Sequence, residues 1–263
     1  MDAGHDERRG QVRSRLLTLQ VLHDSFEDDP ALDAAVSRAL MLRVADGELP
    51  ETLRIARPGT TVVFAKRDAV TDGYEDALRA AHAHGFDATL RLAGGRAAVF
   101  HDGTMEIGHA VPDHEPRAGI HDRFRHTAER LARALGALGL DARVGEVARE
   151  YCPGRYSVNA RGAVKLAGIG QRVVAGGSHT GVVLVVSGER RINDVLRPVY
   201  DALGLAFAPE VTGSVDAERP GTSWEAVREA VLAEYARDHE LVEARLDDAT
   251  LALARELAPE HRV

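Results

Sequence analysis

Short connections commit the middle of this chain to sheet. Strand-like runs at 88–92, 97–100 and 104–111 follow one another with room for a turn but not for a crossover helix. Antiparallel neighbours can be joined that tightly and parallel neighbours cannot, so the spacing predicts antiparallel pairing along this stretch. A second set of runs, at 142–147, 156–159, 164–166 and 182–186, follows the longest amphipathic helix, 120–138, whose apolar stripe is Phe124, Ala128, Leu131, Leu135 and Leu138. Two strand clusters with helices between and after them predict an α+β fold of mixed, largely antiparallel sheets, covered by helices mainly on one side.

The remaining elements fit around that frame. Residues 16–22 read as a buried strand, and Asp29-Pro30 sets an N-cap with proline at the first helical position of a helix that runs to Gly47. Short strands are predicted at 53–55 and 61–65, and a helix at 74–84 stops at Gly85. The last segment reads as helical and needs no β-structure: helices at 193–203, 223–239 and 248–257, the second opened by a Thr222/Glu225 capping box. With 263 residues, 44% of them apolar, the chain can bury one substantial core. The expected organisation is a flexible polar arm over 1–13 and one catalytic-sized domain over 14–263, ending in a helical segment from about residue 222.

Charge and composition exclude several classes. A net charge of −8, with no Lys/Arg cluster interleaved with aromatics, argues against a nucleic-acid surface and against attraction to anionic membranes. The opening residues are too polar for a signal peptide and no apolar run is long enough to span a bilayer, so the expected location is the cytoplasm. A single cysteine excludes a cysteine-rich zinc site, and no His or carboxylate pair has a helical metal-ligand spacing, so no metal is expected. Gly168-Ile169-Gly170 lacks the third glycine of a dinucleotide fingerprint, and there is no phosphate-binding loop motif.

Scarce residues mark the candidate chemistry. Of 33 basic side chains only Lys66 and Lys165 are lysines. Lys165 lies in a Gly-punctuated apolar run, where a compact ammonium can touch one carbonyl or phosphate oxygen; the alternative is a side chain pointing from a strand into water. The only cysteine, Cys152, lies one short hairpin upstream and is either a small buried hydrophobe or a nucleophile whose thiol a neighbouring cation would acidify. Between Arg91 and Arg96 the glycine turn Gly94-Gly95 exposes backbone N–H groups suited to an anion or carbonyl. His101 and Asp102 face opposite sides of a strand, so Asp102 reads as a turn residue rather than a dyad partner.

Four stretches occur in an order that resembles the lipoate-protein ligases. They are Val99-Phe100-His101-Asp102 after the glycine turn, Pro153-Gly154-Arg155-Tyr156-Ser157-Val158, Lys165-Leu166-Ala167-Gly168 with Gln171-Arg172, and His179-Thr180-Gly181. That superfamily includes octanoyltransferases and biotin ligases, and the resemblance spans residues 14–240. It implies an α+β catalytic domain that attaches lipoate or octanoate to a lysine of a lipoyl carrier domain, with Lys165 matching the family's essential lysine. It also implies substrate-binding roles for Arg91, Gly94, Gly95, Arg96, His101, Gly168 and His179. Where ligases carry Arg-Arg-x-Ser-Gly-Gly-Gly, this chain has Gly94-Gly95-Arg96-Ala97, a form closer to the cysteine-dependent octanoyltransferases. The preferred implication is cofactor-free transfer from an acyl carrier protein thioester through Cys152. Two alternatives remain: an ATP- and Mg²⁺-dependent ligase using free lipoate or octanoate, in which Cys152 is only packed, and a non-catalytic relative that binds a lipoyl domain or acyl ligand.

Overall fold

Asp29 caps the first helix as its position suggests: the carboxylate accepts the Leu32 N–H at 3.1 Å, and Pro30 fills the first turn where no donor is needed. The computed structural model describes residues 16–263, so the arm expected over 1–13 lies outside the described residues. In chain order the strands are β1 (Leu17–Leu22), β2 (Thr52–Ala56), β3 (Thr61–Phe64), β4 (Asp87–Leu90), β5 (Ala98–Phe100), β6 (Thr104–Pro112), β7 (Ala142–Val144), β8 (Val158–Ala160), β9 (Val164–Val174), β10 (Gly177–Val185) and β11 (His239–Glu243). The helices are α1 (Pro30–Ala45), α2 (Tyr74–Ala83), α3 (Ile120–Ala137), α4 (Glu189–Ala202), α5 (Val215–Glu218), α6 (Trp224–Tyr235) and α7 (Asp248–Leu257). An eight-stranded mixed sheet runs β11-β1-β2-β6-β10-β9-β8-β7, and a three-stranded sheet runs β4-β3-β5. The fold is α+β, as expected.

Three expectations are corrected. The runs at 88–92, 97–100 and 104–111 do not pair with one another: β4 lies parallel to β3, β5 antiparallel to it, and β6 belongs to the large sheet. Helix α2 supplies the crossover that makes β3 and β4 parallel, and residues 91–97, which look like a hairpin turn, instead carry the chain across β3 to its other edge. Second, the large sheet is covered on both faces. Along β10, Val182 and Leu184 enter the core beneath α3 and α6, while Val183 and Val185 pack with α4 and the small sheet. Helices α1 and α7 close the rest of that second face. An apolar run without polar alternation is the signature of burial on both sides.

Third, the C-terminal segment contains β-structure. Helix α6 ends at Tyr235, earlier than the predicted 239, and β11 then pairs parallel with β1 at the sheet edge. Its N-cap is Ser223, whose hydroxyl accepts the Ala226 N–H, rather than Thr222. The strand predicted at 164–166 extends to Val174 because its glycines serve close approach and do not break it: a Cβ on Gly170 would sit 2.9 Å from both Ala93 and the Arg91 guanidinium.

Candidate functional site

Lys165 is the second residue of β9 and is 1% exposed, so the reading in which it points into water is overturned. Its three ammonium protons go to Glu150 Oε1 at 3.0 Å, the Tyr151 carbonyl at 2.9 Å and the Cys152 carbonyl at 2.8 Å. The carboxylate of Glu150, fully buried, also accepts from Val147 N–H, Gly154 N–H and the Ser157 hydroxyl. A buried ion pair whose carboxylate takes further hydrogen bonds on both oxygens is the arrangement in which such a pair is tolerated. Its effect is to fold residues 150–157 tightly over the start of β9.

That fold presents the thiol. Cys152 has φ +41°, a left-handed backbone that non-glycine residues rarely adopt, and it is held there by its N–H donating to the Tyr200 hydroxyl at 2.7 Å. Tyr200 in turn donates to the Ala97 carbonyl, tying the cysteine loop to the glycine loop. On the other side the Arg96 N–H donates to Sγ at 3.1 Å, and Arg91 Nη1 lies 3.9 Å from Sγ. Burial pushes the thiol up, but the Arg91 and Lys165 charges and the Arg96 N–H outweigh it and hold Cys152 below its ordinary value. Gly95, at φ +123°, is required here, because a Cβ would stand 2.9 Å from Sγ.

These groups border one cavity of about 390 Å³. Arg91, Gly94, Gly95 and Cys152 form one wall, Lys165, Gly168 and Gly170 another, and Ile120, Phe124, Ile169, Val173 and Val183 give an apolar lining. Gly168 leaves room for Lys165, whose Cε would lie 3.4 Å from a Cβ at that position. The structure therefore brings together Cys152, Lys165, Arg91, Gly94, Gly95 and Gly168. Arg96 contributes its main-chain N–H, while its side chain turns away to the fully buried Asp68 at 3.0 Å.

The two histidines singled out in the sequence do not line this cavity. His101 is buried against Gly103 and Gly188, with Nδ1 accepting the Gly103 N–H at 3.0 Å; Asp102 lies in the turn as expected but does not face away, since its Oδ1 is 3.2 Å from His101 Nδ1 and 2.9 Å from Arg191. His179 lies under α1 in a smaller cavity of about 70 Å³ with Ser37 and Glu106; Arg91 and Val183 line both cavities. Both of its ring nitrogens are without partners, and burial, with the His109 and Arg54 charges, pushes it down to about 3. Glu150, Ser157 and Tyr200 escaped the sequence reading. Glu150 left one signal, a carboxylate two positions before the lone cysteine, and Ser157 another, its place in the 153–158 stretch, although neither was assigned a role there. Among the described residues no group of three or more His, Cys, Asp or Glu is placed to hold a metal ion, and no helix is long and apolar enough to cross a membrane.

Residues 29–236 match the family described as the lipoyl protein ligase A/B catalytic domain. The octanoyl-GcvH:protein N-octanoyltransferase of Exiguobacterium sibiricum is 38% identical over 154 residues, 58% of this chain and 54% of that protein. The protein of the same name from Bacillus velezensis is 28% identical over 225 residues, 85% of this chain and 74% of the relative. The chain thus spans about half the length of the first of these relatives. The crystal structure of lipoate-protein ligase A bound with ATP superposes with a TM-score of 0.76, covering 93% of this chain and 95% of that one at 18% identity, a likeness of fold alone.

Proposed function

This chain belongs to the lipoyl protein ligase A/B catalytic-domain family, and on that premise we propose that it moves an octanoyl group from a carrier protein, through a thioester on Cys152, to a lysine of a lipoyl domain. The observation that carries this reading is the placement of the Cys152 thiol at the wall of an apolar-lined cavity, 3.1 Å from the Arg96 N–H and 3.9 Å from Arg91 Nη1, on the loop that Lys165 holds. A packed cysteine needs none of these groups.

The Sγ thiolate attacks the acyl carbonyl carbon, the bond to the donor carrier breaks, and the leaving group takes up the proton the thiol released. The acceptor lysine amine then attacks the thioester, loses a proton as the amide forms, and returns the thiolate. Charge on the carbonyl oxygen during both attacks falls to Lys165, whose Nζ exchanges one main-chain carbonyl for the developing oxyanion; one such donor is worth about 3 kcal/mol. The relatives' names give octanoyl-GcvH and a protein as the two partners, and we extend that pairing to this chain. The thioester route consumes no ATP or Mg²⁺, and the free thiol suits the cytoplasm.

Intact mass after incubation with an octanoylated carrier, set beside octanoate with ATP and Mg²⁺, tests the proposal. One octanoyl adduct on the wild type and none on Cys152→Ser is the expected result. Carrier octanoylation by Cys152→Ser that depends on ATP would establish the ligase chemistry instead.

A further inference from the structure

A recess that shares Arg91 with the thiol's cavity is cationic, in a chain whose net charge is −8. It is a concavity of about 100 Å³ between α1, the ends of β4 and β9, and the C-terminal turn. Its polar wall is Arg38, Lys66, Arg91, Arg172 and His261 against one carboxylate, Glu260, which Arg38 already holds at 2.7 Å. Lys66 and Arg172 are exposed and have no ion-pair partner among the described residues. His261, 4% exposed, donates from Nδ1 to the Leu90 carbonyl at 2.7 Å, and its Nε2 has no partner. Lys66 is also one of only two lysines in the chain, and the chemistry at Cys152 leaves it without a role.

Resting on the acyl-transfer reading, we infer from the charge of this recess that it docks the carrier domain that presents its acyl group to Cys152 and that this domain offers it an acidic face, with Lys66 and Arg172 meeting carboxylates there. An acidic partner is repelled by the average surface of this chain, so productive encounter requires a local positive field beside the thiol. The recess supplies that field. Because Arg91 lines both hollows, a domain seated on the outer one lies beside the inner one. A basic partner finds no complement there; the apolar part of the lining, Met41, Leu42, Leu90, Leu92 and Val174, is neutral to the choice.

The test uses the full chain with Lys66→Glu and Arg172→Glu, singly and together; both side chains are exposed and neither touches the thiol. Calorimetry should show the double variant binding an acidic octanoyl carrier domain at least about tenfold more weakly at low salt. The gap should close as salt rises from about 0.01 M to about 0.1 M and the Debye length falls from about 30 Å to about 10 Å. Loading of Cys152 from a small neutral octanoyl thioester, read by intact mass, should be unchanged. Carrier binding equal to wild type would overturn the docking site, and so would an equal loss of loading from the small thioester. ATP binding lost in the variant while carrier binding holds would assign the recess to nucleotide phosphate and also overturn it. If the small thioester fails to load even the wild type, the acyl-transfer reading fails, and salt-dependent carrier binding still decides the docking site.

Discussion

Replacing Lys165 with methionine keeps the length of the stem to Cε, with sulfur in place of Cδ, and removes the ammonium, so its consequences can be worked from the contacts. Glu150 keeps its bonds from Val147, Gly154 and Ser157 but becomes a buried, unpaired charge, and the Tyr151 and Cys152 carbonyls lose their donor. Stranding one member of a buried ion pair costs about 3–5 kcal/mol. At about 2–4 °C of melting temperature per kcal/mol for a chain of this size, Lys165→Met should melt roughly 6–20 °C below wild type. Adding Glu150→Gln removes the stranded charge and should recover much of that loss, giving a coupling energy of the same order in a double-mutant cycle. The thiol should behave differently: Lys165 is one of the cations that hold it down, so Cys152 should be less acidic in the single and double variants alike. Thermal denaturation reads the first effect and the pH dependence of Cys152 alkylation the second. A single variant melting within about 2 °C of wild type, against the cost expected of a broken buried pair, would refute the structural role. Wild-type thiol acidity in the double variant would refute the electrostatic one.

Three further outcomes follow from the same neighbourhood. Arg91→Gln removes the nearest cation, so Cys152 alkylation should begin at higher pH than in wild type; an unchanged profile means the guanidinium does not act on the thiol. Gly95→Ala places a methyl 2.9 Å from Sγ on a backbone at φ +123°, so acyl loading should be lost even in protein that still folds, and normal loading would show that the loop moves freely. Burial and the Asp33 charge raise Glu106 against the pull of Arg54, so the folded state holds that proton more tightly than the unfolded chain does. The resulting stability is complete below the ordinary carboxylate range and is lost as pH rises through the raised value. Glu106→Gln should flatten that slope in urea titrations, and an unaltered slope would place the proton elsewhere.

Elements with local instructions were legible in the sequence. Asp29-Pro30 opens α1, and Gly47 and Gly85 lie at positive φ just beyond α1 and α2. Pairing was not legible, because it depends on what lies beside a strand. Residues 91–97 have a hairpin's length, yet they bridge β3 and carry the glycine loop to the thiol. Strand β11, His-Glu-Leu-Val-Glu at the edge of the sheet, has neither an apolar run nor a polar-apolar alternation, so nothing marks it as a strand until β1 is known to be its neighbour.

The site divides along the same line. Rarity pointed to Lys165 and Cys152, because an ammonium in a chain that otherwise uses arginine, and a lone thiol, stand out in the sequence without coordinates. The use it makes of the ammonium is a tertiary fact. All three protons are engaged within the chain, on a carboxylate and two carbonyls of the loop that bears the thiol, so Lys165 shapes that loop before any substrate arrives. A lysine that only met substrate would tolerate loss of Glu150, whereas one that also builds the loop would not. Glu150→Gln alone should therefore weaken acyl loading by loosening residues 150–157, even though Glu150 does not line the cavity.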